Sequence, residues 1–157
     1  MRHVLLLTTA LMSMPASVLA EAVPYPDGYR DWTHVKSMLI NAGHPLYEAF
    51  GGIHHIYAND KALAGYRGKG FADGAVIAFD LLTAEAADNA VAEGPRKVLG
   101  VMHRDAKRFA ATGGWGYEGF AGGDAKQPVV GANAASACHG CHTAQKDRDY
   151  VFSAWRD

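Results

Sequence analysis

Both cysteines of the sequence lie in one short stretch, ACHGCHTAQ, at residues 137–145. Cys138, Cys141 and His142 form the pattern C-x-x-C-H. In this pattern two thiols can add to the two vinyl groups of a porphyrin, while the adjacent imidazole binds the iron. His139 lies inside the pattern, and we expect it to be a spacer that points away from the iron. The motif therefore predicts one covalently bound haem c with His142 as its proximal iron ligand.

Other uses of paired cysteines fit this sequence less well. A disulfide between Cys138 and Cys141 would close a very small loop, so it would constrain the unfolded chain little. A thiol–disulfide exchange site is expected where a helix follows a strand in a βαβ unit, and the sequence shows no such unit. A zinc site would need a second pair of ligands, which does not follow His142. A disulfide and a redox-exchange site remain the alternatives to haem.

The residues beyond the motif bear on the sixth ligand of the iron. After His142 the chain reads TAQKDRDYVFSAWRD, which contains neither methionine nor histidine. A sixth ligand would have to come from upstream, where the candidates are Met38, Met102, His34, His44, His54, His55 and His103. Each of these also fits an ordinary packed or solvated side chain. We therefore expect a five-coordinate iron with one open side, and we keep a six-coordinate electron carrier as an alternative.

Composition indicates one globular domain and offers no electrostatic case for nucleic acid. The chain has 157 residues, 49% of them hydrophobic, and a formal net charge of -1. A chain of this length can bury an adequate core, and a protein that binds a polyanion is expected to be basic.

The beginning of the chain has the composition of a secretory signal peptide. Residues 1–20 combine Arg2, an apolar run from Val4 to Met12, a breaking Pro15 and small residues up to Ala20. This stretch is too short and too interrupted for a membrane span. We expect cleavage after Ala20, a mature single domain at residues 21–157, export to the periplasm and no membrane insertion.

The elements that must position the motif are mainly strands. Stretches rich in β-branched or aromatic residues and bounded by Gly, Asp or Pro predict strands within residues 32–40, 51–60, 73–82, 95–104 and 115–124. Shorter helices are predicted at 60–66 after Asn59, at 106–112 after Asp105, and at 134–146 after Asn133, the last carrying the haem motif. The 18 glycines argue against a four-helix bundle of the cytochrome c′ type. The fold class is therefore α+β, an antiparallel sheet with a few short helices.

Several segments, taken in order, resemble the cytochrome P-460 and cytochrome c′-beta family of periplasmic monohaem proteins. They are YPDGYRDW, FADGAVIAF, HRDAKRFA, GGWGY, CHGCH and YVFSAW, which together extend over the mature chain. The resemblance implies a mainly antiparallel β fold, a homodimer, proximal histidine ligation and an open distal site.

Two branches of that family differ at positions that can be compared here. In the cytochrome P-460 branch a lysine after an Asp-Gly pair is bonded to the porphyrin, and a distal carboxylate helps to oxidise hydroxylamine. Counted from Asp73 and Gly74, the lysine position is Phe79. Counted back from the segment DAKRF, the distal glutamate position is Gly100. The cytochrome c′-beta branch lacks the cross-link and caps the iron with two phenylalanines, which correspond to Phe79 and Phe50.

The resemblance to the second branch implies a gas-binding protein. Two phenyl rings over the iron would exclude water and withhold a hydrogen-bond donor, which bound O2 needs more than NO or CO does. We therefore expect reversible binding of NO and CO for scavenging, storage or sensing, with no catalytic residue. The alternatives are a hydroxylamine or nitric oxide oxidoreductase of the cytochrome P-460 type and an electron carrier with a periplasmic redox partner.

Overall fold

The computed structural model describes residues 22–156. The signal peptide expected at residues 1–20 lies outside the described residues. No helix within residues 22–156 has the length and apolar character needed to cross a membrane.

One five-stranded antiparallel sheet forms the body of the protein. Its strands are β1 (Thr33–Ile40), β2 (Gly52–Ala58), β3 (Val76–Ala87), β4 (Ala90–Arg104) and β5 (Trp115–Ala121). The spatial order is β1-β2-β3-β4-β5, so each strand pairs with its neighbours along the chain. All five predicted strands are present, and the α+β expectation is confirmed.

The hairpin between β3 and β4 is longer than the sequence pattern predicted. The two strands continue through a turn at Asp88 and Asn89, whose φ angles are 51° and 60°. Asn and Asp tolerate this left-handed conformation better than most residues, and two such residues in succession suit a two-residue hairpin turn. The register between β3 and β4 shifts twice between Leu81 and Ala84. Beyond Leu82, β3 no longer pairs with β2, so the rest of the hairpin extends past the other strands.

The helical pieces are short. They comprise α1 (Tyr47–Phe50), α2 (Asp60–Ala64), a π-helical turn (Gly65–Lys69) and 3-10 turns at Tyr29–Asp31 and Ala110–Thr112. Asn59 begins α2 as predicted, because its side chain accepts a hydrogen bond from the Ala62 amide at 2.9 Å. The helix predicted at 106–112 is reduced to turns and one 3-10 turn.

The last helical region carries the cysteines, and we call residues 131–148 the motif segment. It consists of a 3-10 turn (Gly131–Asn133), a π-helical turn (Ala135–His139), α3 (Gly140–His142) and a 3-10 region (Thr143–Arg148). The helical conformation begins at Gly131 rather than at the predicted residue 134. It ends where Asp149 and Tyr150 adopt positive φ angles of 54° and 64°.

Both faces of the sheet are covered by other parts of the chain. One face, which we call the motif face, buries Ile56, Ala58, Ile77 and Tyr117 in a cluster that Cys138 also contacts. The opposite face buries a second cluster, Val23, Tyr29, Ala78, Leu99, Val101, Phe109 and Phe120. The period of two along each strand assigns alternate residues to these two faces.

A buried carboxylate helps to join the N-terminal region to the opposite face. Asp80 on β3 is 2% exposed and accepts a hydrogen bond from the Tyr29 hydroxyl at 2.7 Å. The guanidinium of Arg96 on β4 donates to both carboxylate oxygens. A charge this deeply buried requires such partners, so Asp80 belongs to the scaffold rather than to the site.

Candidate haem site

The motif segment is tied to the sheet by the carboxylate of Glu118 on β5. Glu118 is 7% exposed and accepts hydrogen bonds from the backbone amides of Val130 at 2.7 Å and Gly131 at 3.1 Å. It also accepts one from the Gly119 amide at 2.9 Å. These bonds satisfy amides at the point where helical conformation begins, and negative charge is favourable there. Glu118 therefore fixes the start of the segment that carries Cys138.

His142 has its ring orientation set by a backbone carbonyl. The distance from its Nδ1 to the carbonyl oxygen of Tyr150 is 2.7 Å, so Nδ1 carries the proton and donates it. This hydrogen bond leaves Nε2 with a lone pair, which is the form that a metal-binding imidazole requires. Burial lowers the pKa of His142, an effect partly opposed by the hydrogen bond to Tyr150. The imidazole is thus prepared to act as a neutral ligand.

The two cysteines are free thiols on neighbouring turns of the motif segment. Cys138 is partly buried against the cluster of the motif face, whereas Cys141 is exposed. Burial raises the pKa of the Cys138 thiol, and the nearby charge of Glu118 adds to the effect. Within residues 22–156 no group of three or more His, Cys, Asp or Glu side chains is arranged to hold a metal ion directly. Two thiols beside an oriented imidazole fit haem c instead.

His139, which lies between the two cysteines in sequence, packs against the rings of Tyr117 and Tyr150. Its ring lies 6.0 Å from that of Tyr117 and 5.0 Å from that of Tyr150, measured between centroids. The Tyr117 ring also lies 4.9 Å from that of His142. Tyr117 on β5 is therefore the aromatic contact between the motif segment and the motif face.

Phe79, Phe50 and Gly100 are brought together on the motif face. Phe79 on β3 pairs across the sheet with Gly100 on β4. The Phe50 ring lies 5.8 Å from the Phe79 ring at an interplanar angle of 80°, an edge-to-face contact. The nearest atoms that a Cβ at Gly100 would meet belong to the Phe79 side chain, at 3.5 Å. The absence of a side chain at Gly100 thus leaves room beside Phe79.

Phe50 reaches Phe79 from the segment between β1 and β2. It is the last residue of α1 and remains 40% exposed. The next residue, Gly51, accepts a hydrogen bond through its carbonyl from Lys97 Nζ at 2.8 Å. This contact joins the end of α1 to β4 and limits where the Phe50 ring can lie.

A family model for cytochrome P460 matches residues 26–153, which is most of the chain. The chain belongs to the cytochrome P460 family. Membership implies a c-type haem protein, in agreement with the donor set of Cys138, Cys141 and His142. The match does not separate the gas-binding branch from the hydroxylamine-oxidising branch. A comparison with curated proteins found no match.

Within this cytochrome P460 fold, the candidate sixth ligands are scattered. Met102 packs beside the cluster of the motif face, whereas Met38 on the same face is 46% exposed. His55 lies on the opposite face, where it binds the Ser37 hydroxyl at 2.6 Å and Glu93 at 2.7 Å. Its strand neighbour His54 is the exception, because it contacts Phe79.

The sequence named His54 as one of several candidate iron ligands but did not predict that it packs against Phe79. It is 6% exposed, and its ring lies 4.6 Å from that of Phe79 at an interplanar angle of 34°. A signal was present in the sequence, because His54, Ile56 and Ala58 alternate on β2 and all three are buried. The alternation assigns His54 to the same face as Phe79.

Proposed function

We propose that this member of the cytochrome P460 family is a five-coordinate c-type haem protein that reversibly binds NO and CO. Its role would be the scavenging, storage or sensing of NO. The observation that carries the proposal is the edge-to-face contact between Phe50 and Phe79, 5.8 Å apart, beside Gly100 on the motif face. Phe79 and Gly100 occupy the positions where the other branch would place a lysine and a glutamate, and Phe50 packs against Phe79.

The side chains of the site supply binding and selection rather than proton transfer. A haem held by Cys138, Cys141 and His142 would supply an iron to which diatomic ligands bind. Phe50 and Phe79 would exclude water from its distal side and slow the entry of any ligand. Because phenyl rings donate no conventional hydrogen bond, they favour NO and CO over ligands that depend on a distal donor.

Oxidation of hydroxylamine is the second candidate function that family membership raises. That chemistry needs a proton acceptor close to the substrate, and a general base must lie within hydrogen-bond reach. Phe79 and Gly100 offer neither an amine for a cross-link nor a carboxylate. These two positions therefore support ligand binding better than turnover.

The cellular setting belongs to the same proposal. We place the protein in the periplasm, because residues 1–20 have the composition of a signal peptide. A homodimer follows from the family resemblance, and a periplasmic redox partner would keep the iron ferrous. Size-exclusion chromatography of the mature protein with light scattering would test the dimer.

The first experiment uses mature protein produced with its haem installed. Absorption spectra of the ferric and ferrous forms, with and without NO and CO, would report the coordination number. An intact mass would report the covalent additions. A five-coordinate high-spin ferrous spectrum with a mass equal to polypeptide plus one haem supports the proposal. A strongly red-shifted Soret band with an extra bond between haem and protein would instead select hydroxylamine chemistry, and a six-coordinate low-spin spectrum would select the electron carrier.

The aromatic cap is tested by Phe79→Leu, with Phe109→Leu as its control on the opposite face. We expect faster association of CO and NO in Phe79→Leu, because the smaller side chain leaves more space and loses the contact with Phe50. Phe109 belongs to the cluster of the opposite face, so its replacement should affect stability without changing these rates. Equal association rates in the native protein and Phe79→Leu would remove Phe79 from the distal site.

A further inference from the structure

His54 is held against Phe79 on the side remote from Gly100. Phe79 lies on β3, between His54 on β2 and Gly100 on β4. The centroid distance of 4.6 Å and the angle of 34° describe a tilted stack of the two rings. The partner of His54 in the β2–β3 pairing is Leu81, which is fully buried. His54 is therefore a polar side chain inside an otherwise apolar part of the motif face.

Packing alone does not explain a histidine at this position. Its Nδ1 is buried and has no hydrogen-bond partner within the described part of the chain. Leaving a buried polar atom unpaired is unfavourable, and an apolar side chain of similar size would avoid that cost. An unpaired group kept at such a cost is expected where a ligand or a function requires it.

The imidazole is neutral under ordinary conditions. Burial, with a smaller contribution from the neighbouring His55, lowers the pKa of His54 to about 4. A neutral imidazole carries one N–H donor and one lone pair. His55, the next residue on β2, lies on the opposite face, where its ring nitrogens are 2.6 Å from the Ser37 hydroxyl and 2.7 Å from a carboxylate oxygen of Glu93.

We propose that His54 is a specificity-determining residue of the distal site, supplying the hydrogen bond that Phe50 and Phe79 cannot provide. This inference rests on the proposed function, because it concerns a ligand bound on the same side as the aromatic cap. The polarity and donors of a distal pocket decide which ligands it favours. A donor beside the cap stabilises ligands that carry negative charge, such as fluoride on ferric iron. It has little effect on NO or CO association.

The experiment compares four forms of the holoprotein: native, His54→Phe, His54→Gln and His55→Phe. His54→Phe keeps an aromatic ring against Phe79 but removes both nitrogens, whereas His54→Gln keeps hydrogen-bonding atoms without the ring. His55→Phe makes the same chemical change one residue away on the opposite face. The readouts are the dissociation constant of fluoride from the ferric form and the C–O stretching frequency of the ferrous carbonyl.

We expect His54→Phe to weaken fluoride binding about tenfold or more, since hydrogen bonds to charged groups contribute at least that factor. The C–O stretching frequency should rise in His54→Phe, because a donor near the bound CO is lost. His54→Gln should retain part of the native fluoride affinity, and His55→Phe should resemble the native protein. Circular dichroism and thermal melting of each form would establish that all four are folded.

Two results would overturn the inference, and they are distinguishable from each other. If His54→Phe and the native protein share the same fluoride affinity and C–O frequency, His54 is a packing residue only, and the proposed gas-binding function is unaffected. If the native ferrous protein is low-spin and becomes high-spin in His54→Phe, His54 is itself an iron ligand. That second result would overturn both this inference and the open distal site.

Discussion

The Nδ1 atom of His142 lies 2.7 Å from the carbonyl oxygen of Tyr150. The acceptor belongs to a backbone turn in which both Asp149 and Tyr150 have positive φ angles, 54° and 64°. Non-glycine residues adopt this conformation at a cost, so the turn must be held by its surroundings. Asp149 Oδ1 lies 3.6 Å from the guanidinium of Arg104 on β4, which connects the turn to the sheet. The imidazole that we propose as the proximal ligand is thus oriented by backbone that the sheet itself supports.

The role of His142 leads to a test by chemical rescue. We expect His142→Gly to keep its thioether-bound haem but lose the proximal ligand, so its ferrous spectrum should change from the native five-coordinate form. Added imidazole should restore a native-like spectrum, because the cavity left by the side chain accepts a free ring. Absorption and resonance Raman spectra would measure this. His139→Gly is the control and should keep the native spectrum. If His139→Gly loses the native spectrum and His142→Gly keeps it, the iron ligand is His139 and not His142.

Two glycines on the sheet are expected to respond oppositely to an added methyl group. Gly100→Ala should be tolerated, because its Cβ would make an ordinary 3.5 Å contact with Phe79. Gly116→Ala should lose about 1–3 kcal/mol of unfolding free energy, because its Cβ would overlap the Phe109 ring and the Val23 side chain. Urea denaturation of both variants would check this, and CO association to Gly100→Ala would show whether the methyl group narrows the site. A large loss of stability in Gly100→Ala would mean that the space beside Phe79 is already filled.

Glu118 is expected to stabilise the motif segment through its bonds to backbone amides. Glu118→Ala would leave the amides of Gly119, Val130 and Gly131 without this acceptor, at an expected loss of about 2 kcal/mol or more. Limited proteolysis should then cut near residues 127–131 sooner than in the native protein. The comparison is Glu93→Ala, since the Glu93 side chain is 54% exposed and its ion pair with His55 is worth less. Equal losses in the two variants would contradict an anchoring role for Glu118.

The lowered pKa of His54 predicts a pH dependence of stability. A base whose folded pKa is about 4, against an ordinary value of 6.5, takes up its proton more readily in the unfolded chain. The unfolding free energy should therefore fall as pH drops from about 6.5 towards 4, by roughly 2–3 kcal/mol from this group. His54→Phe should remove that part of the decline while His55→Phe keeps it. Urea denaturation at several pH values would measure the difference, and parallel profiles for native protein and His54→Phe would contradict it.

The sequence was sufficient to predict the sheet because strands that are adjacent in the chain are also adjacent in the sheet. Turn residues bounded each strand, and the capping role of Asn59 was readable from its position before α2. The extension of the β3–β4 hairpin was missed, since the alanine-rich stretch around Asp88 and Asn89 has little strand character. The helix predicted at 106–112 is replaced by turns. Phe109 packs in the cluster of the opposite face, and the segment is followed directly by Gly113 and Gly114, which have positive φ angles.

The site was predictable where its chemistry lies in adjacent residues and not where it depends on pairing across the sheet. Cys138, Cys141 and His142 could be named from their spacing alone. The proximity of Phe50 to Phe79 could be predicted only from the family resemblance, because no local sequence pattern relates two residues on different elements. His54 could not be distinguished from the other candidate sixth ligands, because both faces of the sheet are covered and the sequence gives no polar–apolar contrast between the buried His54 and the partly buried His55.

The consecutive order of the strands has a consequence for how the protein is made. All strand pairings join neighbours in sequence, and the sheet is complete at Ala121, before either cysteine has been reached along the chain. Local pairings of this kind form without long chain closures, so the sheet can assemble early. The face of the sheet that bears Phe79 and Gly100 can therefore form before the segment with the cysteines is in place, and the proposed haem attachment would be a late event on a surface that already exists.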